Sequence, residues 1–230
     1  MRTQIVYEDE DILICRKPAG LATQSAVVSQ PDVVSELKKY LSGAYLGIVH
    51  RLDQPVEGLL VFAKSQRSAA MLSRQLGAGT LNKEYQAYVY GQPQQESGEL
   101  SDFLCKEGNV SRVVSETTPG AKKASLQYRM LKPAGDALHV TAVQSTQLAG
   151  KCSHLAIHID TGRFHQIRCQ LAHAGMPILG DRKYGTAESM ELSRQLGITQ
   201  TALCACRIQL RHPVTGRDMT YEICPSWIKE

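Results

Sequence analysis

Short apolar segments, each closed by a glycine, a proline or an acidic turn, recur along the whole 230-residue chain, and most of them alternate apolar with polar side chains. A period of two belongs to half-buried strands with one packed and one wet face, so the chain must build a sheet and cover it. IVYEDEDILICR at residues 5–16 predicts two strands about an acidic turn, leading into the Lys17-Pro18-Ala19-Gly20 bend. LLVFAK at 59–64 and KEYQAYVYG at 83–91 predict further strands, as do residues 124–131, 138–143 and 154–159. LCACRIQL and MTYEIC, joined by the turn HPVTGRD, predict a closing hairpin. Helical spacing is confined to four places: residues 31–41 before Gly43, 66–76 before Gly77, the stretch holding Ile167 and Leu171 before Gly175, and 187–196. Residues 92–118, rich in Gln, Ser, Glu and Gly, predict a hairpin or an insertion on the surface. Strands outnumber helices and the turns are short, which predicts an α+β fold around a largely antiparallel sheet, as a single domain over residues 1–230.

With 43% apolar and 21% charged residues, the chain reads as an ordinary globular protein rather than a disordered or fibrous one. The start carries acidic residues where a secretory signal would be apolar, and no run approaches a bilayer span, so a cytoplasmic location without membrane attachment is expected. The seven cysteines are scattered, with no CxxC pair and no histidines at zinc spacing, so no metal is expected and reduced core thiols are the favoured reading. Cys204 and Cys206 share one strand face, which suits a metal or an apolar surface equally. A net charge of +4, from 26 Lys plus Arg against 22 Asp plus Glu, is compatible with a polyanionic partner without requiring one.

Three clusters combine charged residues with glycine turns beside apolar strands: HRLDQPVEGLLVFAK at 50–64, NKEYQAYVYG at 82–91 and TGRFHQIRCQLAHAGMPILGDRKYG at 161–185. In the first, His50, Arg51 and Asp53 precede a buried strand, where a rigid scaffold can present polar groups to a cleft; a plain surface Arg-Asp pair is the alternative. In the second, Tyr85 shares a strand face with Ala87 and Val89, a position that suits a core tyrosine as well as a substrate platform. In the third, His165 and Arg168 are three apart at a helix start, whose amino terminus favours anions, although a solvated basic face would look the same.

Together these segments resemble the signatures of the RluA-type pseudouridine synthases: an HRLD tetrapeptide ahead of Gly and an apolar strand, a K-x-Y segment, and TGR-x-HQIR-x-x-LAH-x-G-x-P-I-x-GD-x-x-YG. IVYEDEDILICRKPAGLATQS is similar to the family's opening hairpin and K-P-x-G loop, and RIQLRHPVTGRDMTYEICPSW to its closing hairpin, so essentially the whole chain is covered in order. One departure stands out: Val56-Glu57 occupies the place before Gly58 where the family commonly has Thr-Ser or Thr-Thr, which alters the lip of the expected pocket. Many relatives also carry a small amino-terminal RNA-binding domain, whereas here the hairpin begins at residue 5, so RNA is expected to be held by the catalytic domain's own surface.

The resemblance implies an enzyme that isomerises uridine in structured RNA, ribosomal RNA first and transfer RNA second, with no cofactor and as a monomer by default. It implies that Asp53 is the catalytic carboxylate, as nucleophile or as base, that Arg168 pairs with it, and that Tyr85 lies against the flipped uracil. A carboxylate in an apolar pocket stays ionised and oriented only beside a cation, and such a pair costs roughly 3–5 kcal/mol to break from one side. Arg51 is implied to fill the vacated stack or grip a phosphate, with His50, Arg163, His165 and the Lys122-Lys123 pair as further RNA contacts. Two rivals remain: a catalytically silent RNA-binding protein of the same fold, and a hydrolase built on Asp53 with His50 or His165, for which no nucleophile elbow, metal set or phosphate loop is present.

Overall fold

The computed structural model describes residues 1–27, 29–131 and 150–228; the strand expected at 138–143 lies outside the described residues. The described residues form eleven strands and four helices, numbered here in chain order, with the strands paired mostly antiparallel as an α+β fold requires. The chain divides into two compact units, residues 1–83 with 204–224, and residues 84–203 with 225–230.

In the first unit, β1 (Gln4–Glu8) and β2 (Ile12–Lys17) form the expected hairpin. Its acidic turn is closed by Asp9, whose Oδ1 accepts from the backbone N–H groups of Asp11 at 2.8 Å and Ile12 at 2.9 Å. β2 pairs antiparallel with β4 (Glu57–Ala63) from Ile12↔Ala63 to Lys17↔Gly58, and β3 (Gly47–Ile48) also pairs antiparallel with β4. β10 (Leu203–Arg211) runs parallel to β4 at Cys204↔Glu57 and Ala205↔Gly58, then folds back on β11 (Asp218–Glu222). Period-two alternation puts Ile12, Ile14, Leu59, Val61, Ala63, Ile208 and Leu210 into one core with Leu72 of α2 (Gln66–Gly77). Helices α1 (Val33–Tyr40) and α2 begin at Asp32 and Ser65, whose side chains accept from the N–H groups of Ser35 at 2.6 Å and Ser68 at 3.1 Å.

The sequence places the first-cluster strand at 59–64, yet β4 starts at Glu57 and takes in Gly58. Gly58 has φ +140°, and a Cβ there would stand 2.5 Å from the backbone nitrogen of Ala205. This glycine therefore permits strand-to-strand approach instead of marking a turn.

In the second unit, β5 (Asn82–Tyr90) pairs with β9 (Cys152–Ile159), β9 with β8 (Lys122–Met130), β8 with β6 (Ser97–Glu107) and β6 with β7 (Val110–Val114), all antiparallel. Residues 92–118 do supply a hairpin, but β6 also pairs along its length with β8 and so belongs to the ladder. Leu104 and Ala124 on one face of this ladder meet Cys169 of α3 (Gln166–His173). Gln170 of the same helix donates from Nε2 to Asp102 Oδ2 at 2.7 Å and to the carbonyls of Leu100 and Ala124, both at 3.2 Å. Helix α4 (Ala187–Gln195) opens with a capping box between Thr186 and Ser189.

Candidate active site

In the first unit the HRLD segment is a loop braced by the KPAGLAT segment. Thr23 Oγ1 donates to the Leu52 carbonyl at 2.9 Å and accepts from the Leu52 N–H at 3.1 Å. Gly20 N–H donates to the Gln54 carbonyl at 2.9 Å, and Gln54 Nε2 returns a bond to the Gly20 carbonyl at 3.3 Å. Lys17 is fully buried and points Nζ at three carbonyls, those of Leu21 at 2.6 Å, Gln54 at 3.0 Å and Pro18 at 3.1 Å. Burial pushes Lys17 down to about 7, while the Asp53 and Glu57 carboxylates pull it upward. Asp53, half-buried, is thus held between two pinned neighbours, Leu52 and Gln54, and its carbonyl closes a turn by accepting from Val56 N–H at 3.1 Å. A carboxylate on so restrained a loop has little orientational freedom left to lose during a reaction.

Arg51 is exposed and donates from Nη2 to Gln24 Oε1 at 3.2 Å. His50 is buried, and its Nε2 accepts from the Val61 N–H at 3.3 Å. That bond assigns the ring proton to Nδ1. Burial and, next, the Lys83 ammonium hold His50 well below the usual imidazole range, so it is neutral at pH 7 and acts as a strut between the loop and β4. The unusual Val56-Glu57 pair turns inward: both are buried, and Glu57 Oε2 lies 3.3 Å from Arg16 Nη2, which also donates to the Cys224 carbonyl at 3.1 Å. The departure at the lip is therefore matched by a cation from β2.

In the second unit the long TGR-to-YG motif folds upon itself. Arg168 is buried and forks onto the fully buried Asp181, Nε to Oδ2 at 2.7 Å and Nη2 to Oδ1 at 2.8 Å. Asp181 Oδ1 also accepts from the N–H groups of Lys183 at 3.0 Å and Tyr184 at 3.3 Å. The Tyr184 ring lies 5.1 Å from the Arg168 guanidinium, and its hydroxyl joins His165 Nδ1 at 2.8 Å and accepts from Ser111 N–H at 2.7 Å. His165 itself has φ +52°, a left-handed conformation that is uncommon for a non-glycine residue, at the start of α3. Gln166 shapes the preceding turn: its Oε1 accepts from Thr161 Oγ1 at 2.7 Å and Arg163 N–H at 3.0 Å, and its Nε2 donates to the Ser125 carbonyl at 2.9 Å.

His50, Arg51 and Asp53 belong to the first unit, and Tyr85, Arg163, His165 and Arg168 to the second. Within the second, Tyr184 joins His165 to Arg168; Arg163 lies on the exposed turn and donates from Nε to the Lys123 carbonyl at 2.9 Å. Tyr85 is buried on β5 opposite Ile157, on the same face as Ala87 and Val89. Sequence reasoning assigned no part to Lys17, Gln166, Asp181 or Tyr184. The signal for Asp181 and Tyr184 was present in the GD-x-x-YG spacing, since a carboxylate directly after an apolar run must find a cation if it is buried.

A second acidic cluster, Asp9, Asp11 and His212, brings its potential ligand atoms within 4.8 Å of one another. His212 Nδ1 accepts from the N–H groups of Val214 at 3.2 Å and Thr215 at 3.0 Å, so Nε2 carries the proton and donates to Asp9 Oδ2 at 2.9 Å. The histidine turns no lone pair toward a metal, and the cluster clips the two hairpins together. Cys204 is fully buried, and burial pushes its thiol up, away from the thiolate a metal prefers.

Comparison with known proteins decides the family. A model of the RNA pseudouridylate synthase family matches residues 11–173, which include the HRLD loop and the TGRFHQIR helix start. The chain belongs to the RNA pseudouridylate synthase family. It is 33% identical over 221 residues to ribosomal large subunit pseudouridine synthase C of Rickettsia bellii, a match covering 95% of this chain and 67% of that protein. It is 31% identical over 225 residues to the protein of the same name from Pasteurella multocida, covering 95% and 63%. To ribosomal large subunit pseudouridine synthase D of Zymomonas mobilis it is 29% identical over 230 residues, covering 95% and 68%. The chain thus spans about two thirds of the length of these synthases. The solved structures of human RNA pseudouridylate synthase domain containing 1 (TM-score 0.74, 19% identity, 96% of this chain and 83% of that one) and domain containing 4 (0.71, 20%, 96% and 88%) share its fold.

Proposed function

We propose that this chain is an RNA pseudouridine synthase that isomerises uridine in ribosomal RNA, with Asp53 as the catalytic carboxylate. The observation that carries this reading is the match of the family over residues 11–173, with Asp53 in its HRLD loop. The bracing of that loop by Lys17, Thr23 and Gly20 supports it, because a reaction at a single carboxylate depends on where that carboxylate points.

The reaction breaks the bond from N1 of uracil to C1′ of ribose, turns the base and rejoins it through C5. The proton at C5 leaves to solvent and N1 ends protonated, so atoms balance with no redox partner. Asp53 assists the cleavage as nucleophile or as base. The same proposal gives Tyr85 contact with the flipped uracil and Arg168 the electrostatic support of the site, with Arg51 exposed to meet the RNA. Arg163, His165 and His50 extend the proposed RNA contacts, and His50 also braces the loop through its bond to Val61. Transfer RNA is the second choice of substrate, and the chain is proposed to work as a cytoplasmic monomer without a cofactor or metal. Among the described residues no helix is long and apolar enough to cross a membrane.

The reading is tested by mapping pseudouridines in total RNA from cells with and without this gene, using carbodiimide labelling and primer extension. Loss of one or a few ribosomal sites, restored by the wild-type gene but not by Asp53→Asn, is the expected result. An unchanged map favours the silent RNA-binding alternative, and loss confined to transfer RNA moves the substrate.

A further inference from the structure

The position left open in TGR-x-HQIR is filled here by Phe164, and its surroundings are unusual for an apolar residue. Phe164 is 39% exposed, yet it is held in place. Its carbonyl accepts from Ser111 Oγ, and its ring stacks on the His165 imidazole with centroids 3.8 Å apart at 21°. His165 is itself fixed by Tyr184. The Lys106 ammonium stands 4.8 Å from the Phe164 ring centroid and has no carboxylate partner among the described residues. A single exposed apolar side chain needs no explanation when it is loose, but here one face of the ring is stacked on His165 and the other is covered by the long, mobile side chain of Lys106, which can swing aside to a phosphate and give the face to a base.

Strand register supplies the rest of the patch. Leu104 faces α3 and stands opposite Lys122, while Lys106, two residues along β6, stands opposite Ser111. Residues opposite one another or two apart on a strand share a face, so Lys106 and Lys122 lie on the same face of the ladder as Phe164's anchor, Ser111. Both lysines are exposed, as is Arg163, the neighbour of Phe164. Glu107 is paired with Arg112 at 2.6 Å, whereas Asp102 accepts from the neutral Gln170 amide at 2.7 Å and keeps its charge. The patch thus combines one fixed aromatic ring with three exposed basic side chains against the single carboxylate of Asp102.

We infer that Phe164, flanked by Lys106, Lys122 and Arg163, is a docking platform for an unpaired nucleotide of the RNA substrate, with the base stacked on the ring and the lysines on the adjoining phosphates. The inference rests on the proposed RNA substrate and adds to it which part of that RNA must be single-stranded. A duplex offers this patch phosphates but no base face, so the aromatic ring discriminates between the two.

The test uses the full-length Asp53→Asn protein, so that nothing turns over, with a short single-stranded RNA carrying 2-aminopurine and an RNA duplex of the same composition. Phe164→Ala weakens single-strand binding about tenfold and relieves the fluorescence quenching, and Phe164→Tyr restores both. Duplex binding is unchanged by either. Lys106→Gln lowers the salt dependence of binding by about one unit of slope. Unchanged single-strand affinity in Phe164→Ala, or an equal loss on strand and duplex with circular dichroism unaltered, overturns the platform. Wild-type isomerisation is measured separately: turnover without a Phe164 effect on binding defeats the platform alone, and Phe164-dependent binding without turnover defeats the synthase reading alone.

Discussion

Arg168 and Asp181 form a two-pronged, fully buried ion pair thirteen residues apart in sequence, Nε to Oδ2 at 2.7 Å and Nη2 to Oδ1 at 2.8 Å. Removing the carboxylate takes away a forked partner in a place water cannot reach. Asp181→Ala is expected to cost about 3–5 kcal/mol in urea unfolding, whereas Asp181→Asn, which keeps the shape, costs less. Arg168→Lys retains charge but cannot fork, so it is expected to lower the isomerisation rate by more than its loss of stability accounts for. A rate loss that merely tracks the unfolded fraction contradicts this assignment.

Gly58 and Ala205 set the closeness of β4 and β10. Gly58→Ala introduces a Cβ that overlaps the Ala205 backbone at a φ of +140°. The expected cost is roughly 2–4 kcal/mol, read as a lower melting temperature and urea midpoint, because the neighbour is strand backbone and cannot step aside. An Ala variant as stable as the parent shows the close approach to be dispensable.

Two buried bases tilt the stability curve in the same direction in two separate pH windows. His154, pressed on Tyr88 at 4.6 Å, is pushed by burial down to about 4. The unfolded histidine binds its proton near 6.5 and the folded one only near 4. Stability present above pH 6.5 is therefore lost as pH falls toward 4, on the order of 2–3 kcal/mol from this group. Lys17 is lowered by burial to about 7 from an unfolded value near 10.4, so its contribution is complete above that value and declines as pH falls to about 7. Melting temperatures from pH 4 to 10 check both windows: Lys17→Met flattens the alkaline slope alone, and His154→Phe the acid slope alone. Slopes that survive both substitutions belong to other groups.

The fold was readable wherever packing imposes a short period. Ile12 and Ile14, Leu59, Val61 and Ala63, and Ile208 and Leu210 announce their common core by alternation alone. Residues 92–118 were ambiguous because β6 exposes one face and leaves the other only partly buried, so few of its apolar side chains mark it. The first two residues of β4 were misplaced because a glycine that serves close approach reads as a turn. The candidate site was legible through motif order, yet its supports were not. Lys17 reads as a surface charge at a bend, and only the folded chain gathers three carbonyls around its ammonium. The bracing part played by His50 was hidden because the Val61 N–H that its ring accepts from lies eleven residues along the chain.

The most direct test of the account follows the hydrogen that leaves C5. Purified protein is incubated with ribosomal RNA transcribed with uridine tritiated at C5, and tritium released to water is counted. With the wild-type chain, release is expected to saturate at one or a few uridines per RNA, and with Asp53→Asn it is expected to be abolished although that variant still binds the RNA. Equal release from both proteins, or none from the wild type on ribosomal and transfer RNA alike, contradicts that expectation.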